Sequence, residues 1–270
     1  MTTARGGLAA LAGLAALAVV VLTPTLVLVL YSVSARWEMN TVFPAALTLD
    51  WYAYIIRYES ALPALGLSLR IAAVTSLVAV VIGAPAGYAL ARLPVPGRRV
   101  VELMFLAKTA TPVIVVGVGT AVVFLRAGLT DTFVGIVAAH LVGALPLMIW
   151  TAASAFRAID PALEEAARDA GAGTTATFLF VTLPLARPGL IAGALLAFIY
   201  SLDEFAITFL ISGVEYTTLP LRLYSTLQQG YIEPAAAASV LLLAPSVVLI
   251  ALILRVVRLT DLGASQGHAG

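Results

Sequence analysis

The chain has 270 residues, 61% of them hydrophobic and 11% charged, with no cysteine and a formal net charge of +1. A soluble domain carries roughly 25% charged residues, so a mean hydropathy of +1.05 describes a polytopic membrane protein. The lack of cysteine excludes disulfides and thiolate ligands, and the near-neutral charge gives no sign of nucleic-acid binding.

Six apolar runs are read along the chain, each near or above the ~20 residues a helix needs to cross a hydrocarbon core. They are Leu8 to Val33, Leu65 to Leu90, Val101 to Leu125, Val134 to Ala155, Gly189 to Ile211 and Ala235 to Val257. Each is continuously apolar and lacks the period-2 alternation of barrel strands, so the expected fold is all-α.

The first run follows Arg5 and ends near Val33-Ser34-Ala35, a pattern with some likeness to a secretory signal. Its length exceeds the 7 to 15 residues typical of a signal core, which predicts a retained membrane helix. Trp51, Tyr52 and Tyr54 follow, as interface anchors or as part of a docking surface. Arg70 is expected about 7 Å into the second run from the outer side, and Lys108 about 10 Å into the third from the inner side. Leu93 to Arg99 reads as a stiff inner turn, Pro112 as a possible kink, and His140 as a helix-packing residue.

Residues 156–188 form a charged, small-residue-rich insert between the fourth and fifth runs. Asp160-Pro161 is a helix start, because Asp caps free amides and Pro suits the first helical position. Gly171 is a natural stop, which predicts a short helix over about 161–171 carrying Glu164, Glu165, Arg168 and Asp169. A second short helix is expected from Thr174 or Thr175 to just before Pro184, with Pro188 opening the fifth membrane helix. Glu164, Arg168 and Asp169 read as a solvated or rim face.

The fifth run contains Asp203 and Glu204, about 20 Å from Gly189 along a helix. A charged residue at a helix centre costs about 2.5 to 3.5 kcal/mol on insertion scales, so both must face protein or water. Two readings stay open: a cation pathway with Ser201 as a hydroxyl ligand, or a structural pair. Arg70 and Lys108 are candidate buried counter-charges, Arg70 being the closer in depth.

Basic residues set the orientation. With the amino terminus inside, the inner segments hold Arg5, Arg92, Arg98, Arg99, Arg157, Arg168, Arg187, Arg255 and Arg258, and the outer ones Arg36, Arg57, Arg126 and Arg222. That asymmetry places both termini and the insert in the cytoplasm. A nucleotide-binding P-loop is absent: around the single lysine, Lys108, Ala107 and Glu102 occupy the two glycine positions of the motif.

Glu165-Ala166-Ala167, three residues, Gly171, nine residues, Val181, one residue and Leu183-Pro184 resemble the EAA loop of permease subunits of bacterial ATP-binding-cassette importers. The family usually has isoleucine where this chain has Val181. The stretch from Ala192 with Ser201-Leu202-Asp203-Glu204-Phe205, then Thr218-Leu219-Pro220 and Glu233-Pro234, is similar to polyamine-type (spermidine/putrescine) permeases. The resemblance implies one permease domain over 1–270, of the type I importer kind, in a bacterial inner membrane. It implies that Glu165, Ala166, Ala167 and Gly171, with Glu164 beside them, couple to the ATPase. It also implies no cofactor and no catalysis in this chain, ATP and Mg being bound by a pair of partner ATPases. A second, different permease and an extracytoplasmic solute-binding protein complete the expected assembly.

In such permeases an acidic residue commonly follows the proline matching Pro112; here Val113 does. That departure and the two intramembrane cations leave room for a zwitterion, or an organic anion such as a phosphonate, beside a polyamine-like cation. Rival readings are an ion-gradient-driven transporter, for which no convincing internal repeat is seen, and an assembly subunit without a pathway.

Overall fold

The computed structural model describes residues 2–35, 37 and 41–266, with side chains over those ranges except 2–10, 12, 102, 106, 108, 109 and 252–266. The helices in chain order are α1 (Thr2–Ser32), α2 (Asp50–Arg57), α3 (Ala61–Arg92), α4 (Arg98–Ala110), α5 (Val113–Ala127), α6 (Phe133–Arg157), α7 (Pro161–Asp169), α8 (Thr174–Thr177), α9 (Leu183–Asp203), α10 (Ala206–Ile211), α11 (Leu219–Gln228) and α12 (Ile232–Gln266). A π turn, Phe178–Thr182, joins α8 to α9. The chain is all-α, and among the described residues five helices are long and apolar enough to cross a membrane: Gly13–Ser32, Ala61–Arg92, Phe133–Arg157, Thr174–Asp203 and Ile232–Ala251.

Two of the expected runs differ from single helices. The third is broken at Thr111-Pro112 into α4 and the 15-residue α5. Pro112 has no N–H to donate and disfavours the α conformation of the residue before it, so one helix ends and the next begins there. The fifth does not start at Pro188. Its helix runs unbroken from Thr174 to Asp203, and Pro188 lies inside it. The π turn explains the passage through Pro184: Leu183 N–H reaches back to Phe178 O, and Pro184 falls in the first turn of α9, where no donor is required. At the other end the same run stops at Asp203, and α10 starts afresh at Ala206.

Contacts divide the chain into two compact units, Met1–Pro63 with Arg222–Ala244, and Ala64–Leu221 with Pro245–Gly270. In the first, α2 is held to the end of α1 by Trp51 Nε1 donating to Ser34 O (2.7 Å) and Tyr52 OH bonding Ser32 Oγ (2.9 Å). An isolated antiparallel bridge between Ser34 and Leu47 closes the connecting loop. Trp51 and Tyr52 are thus tied internally.

In the second unit α6 runs between α3 and α9, and glycines four residues apart on each neighbour make this possible. A Cβ at Gly83 or Gly193 would press on Met148, one at Gly87 on Ala152 and the backbone of Ala153, and one at Gly189 on Ala155. Small residues spaced by four let membrane helices approach closely and gain dispersion contacts where no hydrophobic effect acts between them. The core that results includes Ala79, Ala144, Met148, Ala152, Phe156, Ala186 and Ala197. A second cluster, Ile71, Ile136, Val137, Ala139, Ile207 and Ile211, packs α10 against α6 and α3.

Candidate functional site

The insert folds as its local chemistry dictates. Asp160 Oδ1 accepts the Ala162 amide (2.9 Å), and Pro161 occupies the first position of α7. At the other end Gly171 adopts φ +92°, with its N–H on Arg168 O (2.9 Å) and the Ala172 N–H on Ala167 O (3.0 Å). This pair of bonds is a Schellman closure, which needs a left-handed residue at that point.

α7 has two distinct sides. Ala162, Glu165, Ala166 and Asp169, at helical spacing i, i+3, i+4 and i+7, are all exposed, while Ala167 is half-buried. Glu164 is not on a solvated face: it is 8% exposed and turned inward. Its Oε1 accepts from Thr182 Oγ1 (3.0 Å) and lies 3.3 Å from Arg92 Nη2. Arg92 also donates to Ile159 O (2.8 Å), and Arg168 Nη2 stands 3.9 Å from the other carboxylate oxygen. A carboxylate can be buried here because it is paired and hydrogen-bonded at once. Glu164 therefore holds the helix from within, and Glu165 and Asp169 are the acids left to face outward.

The break between α9 and α10 is the other concentration of polar groups. Asp203 and Glu204, adjacent in sequence, part company there: Asp203 is exposed and Glu204 is 7% exposed. The Glu204 carboxylate accepts the amides of Ile207 (2.9 Å) and Thr208 (3.0 Å), free donors of the first turn of α10, and the Thr208 hydroxyl (2.8 Å). His140 of α6 bridges the break, with Nδ1 2.7 Å from Ser201 Oγ and Nε2 2.7 Å from Thr208 Oγ1. One proton arrangement satisfies every group: Ser201 donates to Nδ1, Nε2–H donates to Thr208, and Thr208 donates to Glu204. Ser201 and Glu204 thus have partners within the chain. Arg70 is exposed and bonds its own helix at Gly66 O (3.3 Å); no ion pair joins it to Asp203 or Glu204. The side chain of Lys108 lies outside the described residues.

A cavity of about 500 Å³ lies where the two helix breaks meet, lined by Thr111, Pro112, Val113, Val116, Leu147, Tyr200 and Ile207. Thr111 and Pro112 belong to the first break; Tyr200 and Ile207 flank the second. Tyr200 lies against Gly143, its phenol in the space that any Cβ there would need. Sequence reading missed Tyr200 and Thr111 as lining groups, and only the pairing of two interrupted helices brings them together. Interrupted membrane helices leave backbone groups unpaired and are tolerated where they line a cavity, which is how transporters build solute sites.

Residues 79–261 match the family model described as binding-protein-dependent transport system inner membrane component. The spermidine/putrescine transport system permease protein PotC of Escherichia coli (strain K12) is 29% identical over 84% of this chain and 85% of that protein. The putrescine transport system permease protein PotI of the same strain is 31% identical over 82% and 80%. The trehalose transport system permease protein SugB of Mycobacterium tuberculosis (strain CDC 1551 / Oshkosh) is 33% identical over 77% and 78%. Among solved structures, a bacterial ABC transporter involved in the import of the acidic polysaccharide alginate aligns with TM-score 0.66 and 20% identity, covering 96% of this chain and 97% of that one. The inward-facing MetNI methionine ABC transporter aligns with TM-score 0.61 and 22% identity, covering 73% and 94%. These last two likenesses concern the fold.

The chain belongs to the family of binding-protein-dependent transport system inner membrane components. It is a permease subunit of an ABC importer, a multi-pass protein of the bacterial inner membrane and not an enzyme, whose partner ATPase binds the ATP.

Proposed function

We propose that this permease imports a small organic solute bearing an amine, as a polyamine-like cation or a zwitterion, and that α7 docks in a cleft of the ATPase. The docking reading rests on one observation: α7 shows Glu165 and Ala166 outward while Glu164 ties its other side down. Small residues allow a close approach, Glu165 offers an acceptor for a charge-assisted hydrogen bond, and Gly171 turns the chain sharply away. The assembly has two ATPase subunits, a second and different permease, and an extracytoplasmic binding protein. The whole of 1–270 acts as one permease domain with 156–188 and both termini in the cytoplasm, and α4 with α5 makes one interrupted crossing, the third of six.

For the solute, the exposed carboxylate of Asp203 stands three residues from Tyr200, on the same helix face as the cavity lining. Relatives of about 30% identity named for putrescine and spermidine support the amine reading. A second reading, a neutral sugar, is favoured by the composition of the lining, where Thr111, whose hydroxyl donates to Ala107 O (2.7 Å), and Tyr200 are the polar side chains and no carboxylate is present. Proteoliposomes holding the assembled importer and its binding protein decide between them. ATP-dependent uptake of labelled putrescine that falls in Asp203→Asn supports the amine; uptake of labelled trehalose, indifferent to that change, supports the sugar. Uptake of either with a hydrolysis-dead ATPase contradicts the whole scheme.

A further inference from the structure

We infer that Arg92 and Glu164 form a buried latch that makes α7 move as one body with α3 and α9, so that displacement of the docking helix reaches the membrane helices directly. The inference rests on the reading of α7 as the docking helix and assigns positioning roles to residues outside its contact face. A single carboxylate oxygen, Glu164 Oε1, gathers the groups concerned: Arg92 Nη2, the last residue of α3, and Thr182 Oγ1, the residue from which α9 springs. The same guanidinium holds Ile159 O, in the link between α6 and α7. Four segments therefore converge on one ion pair.

α7 is joined to the bundle by the short links 158–160 and 170–173, the first of them anchored in the core by the buried Ile159. The latch adds a polar tie from α7 itself to α3 and to the start of α9. For α7 to swing without α3 and α9, a charge pair whose side chains are 14% and 11% exposed must separate, leaving both ions badly solvated. Arg92 Nε is buried with no hydrogen-bond partner. It lies on the same edge of the guanidinium as Nη2, so a carboxylate that shifts along this edge exchanges one donor for the other and stays paired. The pair thus tolerates a small sliding motion and resists separation.

The chain has no cysteine, so labels can be placed freely. In the full importer assembled in lipid nanodiscs with cysteine-free partners, spin labels at Leu77→Cys on α3 and Ala170→Cys after α7 report the distance between them. Wild type is expected to show one distance without nucleotide and one after trapping with ATP, Mg and vanadate. Arg92→Gln is expected to match wild type without nucleotide, lose the single distance on trapping and still release phosphate from ATP. Arg92→Lys keeps the charge and restores the single distance, since one Nη atom makes both contacts now. A single distance in trapped Arg92→Gln overturns the latch, and so does a split distance before nucleotide is added, which reveals a part in folding α7 alone. Glu164→Gln gives an independent check if Arg92→Gln does not assemble: an unsplit trapped distance there also overturns the inference. Failure of the docking reading looks different, because replacing the exposed Glu165 by Ala then leaves ATPase retention and coupled hydrolysis at the wild-type level.

Discussion

Nε2 of His140 lies 2.7 Å from Oγ1 of Thr208, which joins the continuous helix α6 to the short α10 across the break after Asp203. With Ser201 on its other nitrogen, His140 satisfies groups on both sides of the interruption. Replacing it by Ala leaves the buried Ser201 hydroxyl without this partner, at about 1 to 3 kcal/mol for an unsatisfied group, while the Thr208 hydroxyl keeps Glu204. The thermal midpoint of the detergent-purified chain, followed by size-exclusion chromatography after heating, should fall clearly in His140→Ala. An unchanged midpoint would show that the break is held by other means.

The two adjacent acids should respond oppositely. Glu204 closes the first turn of α10 with two amide bonds, and loss of a side-chain cap costs about 0.5 to 2 kcal/mol. Glu204→Ala should lower stability by that amount or more, the group being buried, while Asp203→Asn should leave stability unchanged and alter uptake alone. Parallel melting and transport measurements check both halves.

What the sequence revealed follows the range of the chemistry involved. α7 could be bounded from Asp160-Pro161 and Gly171 because caps and left-handed turns act within three or four residues. The split of the fifth run could not, since its apolar pattern continues through Phe209 and the partners of Glu204 include a histidine network anchored on another helix. The inward turn of Glu164 depends on Arg92, seventy-two residues earlier, so an acid beside Glu165 looked like a rim charge. The break at Pro112 was partly legible as a proline in an apolar run, though a kink and an interruption share that cue. The glycine pairs Gly83/Gly87 and Gly189/Gly193 were open to view as spacing of four in apolar helices.

Those pairs make a steric prediction. A Cβ at Gly87 would lie 2.8 Å from the backbone nitrogen of Ala153 and 2.6 Å from Ala152 Cβ, and backbone cannot step aside. Gly87→Val should overpack the α3–α6 contact and destabilise by about 1 to 3 kcal/mol. Gly119→Ala on α5, where nothing lies within 4 Å, serves as the control and should melt as wild type. Equal melting of the two variants would mean that α3 and α6 are not in such close contact.

Asp131 ties the loop before α6 to the segment after α10, its carboxylate accepting the amides of Gly213 (2.8 Å), Tyr216 (3.3 Å) and Glu215 (3.5 Å). These bonds, that from Gly213 foremost, hold its carboxyl below the usual carboxylate range. A folded-state value below the unfolded one, about 3.9 for a free Asp, stabilises fully above the latter and loses its effect as pH falls through the folded value. The difference in melting temperature between wild type and Asp131→Asn should therefore stay constant from neutral pH down to about 5 and vanish in stronger acid. A difference that fades between pH 8 and 6 would point to another group.

Gly171 supplies the last test, because its φ of +92° is demanded by the end of α7 and no packing opposes a side chain there. An L-residue forced into the left-handed region costs about 1 to 2 kcal/mol, and the chain can avoid that by unwinding the closing turn that carries the Ala172 to Ala167 bond. Gly171→Asp should then displace the exit of α7 and add a negative charge beside Asp169. If α7 docks as proposed, less ATPase should co-purify with this variant, or hydrolysis should run without uptake, while the melting temperature of the permease alone changes little. Gly97, also at positive φ (+78°) with open space around it, is in the turn before α4 and is not part of α7. Gly97→Asp introduces the same strain and charge, so it should leave ATPase retention at the wild-type level; equal loss in both variants would show that the effect is not specific to the docking helix.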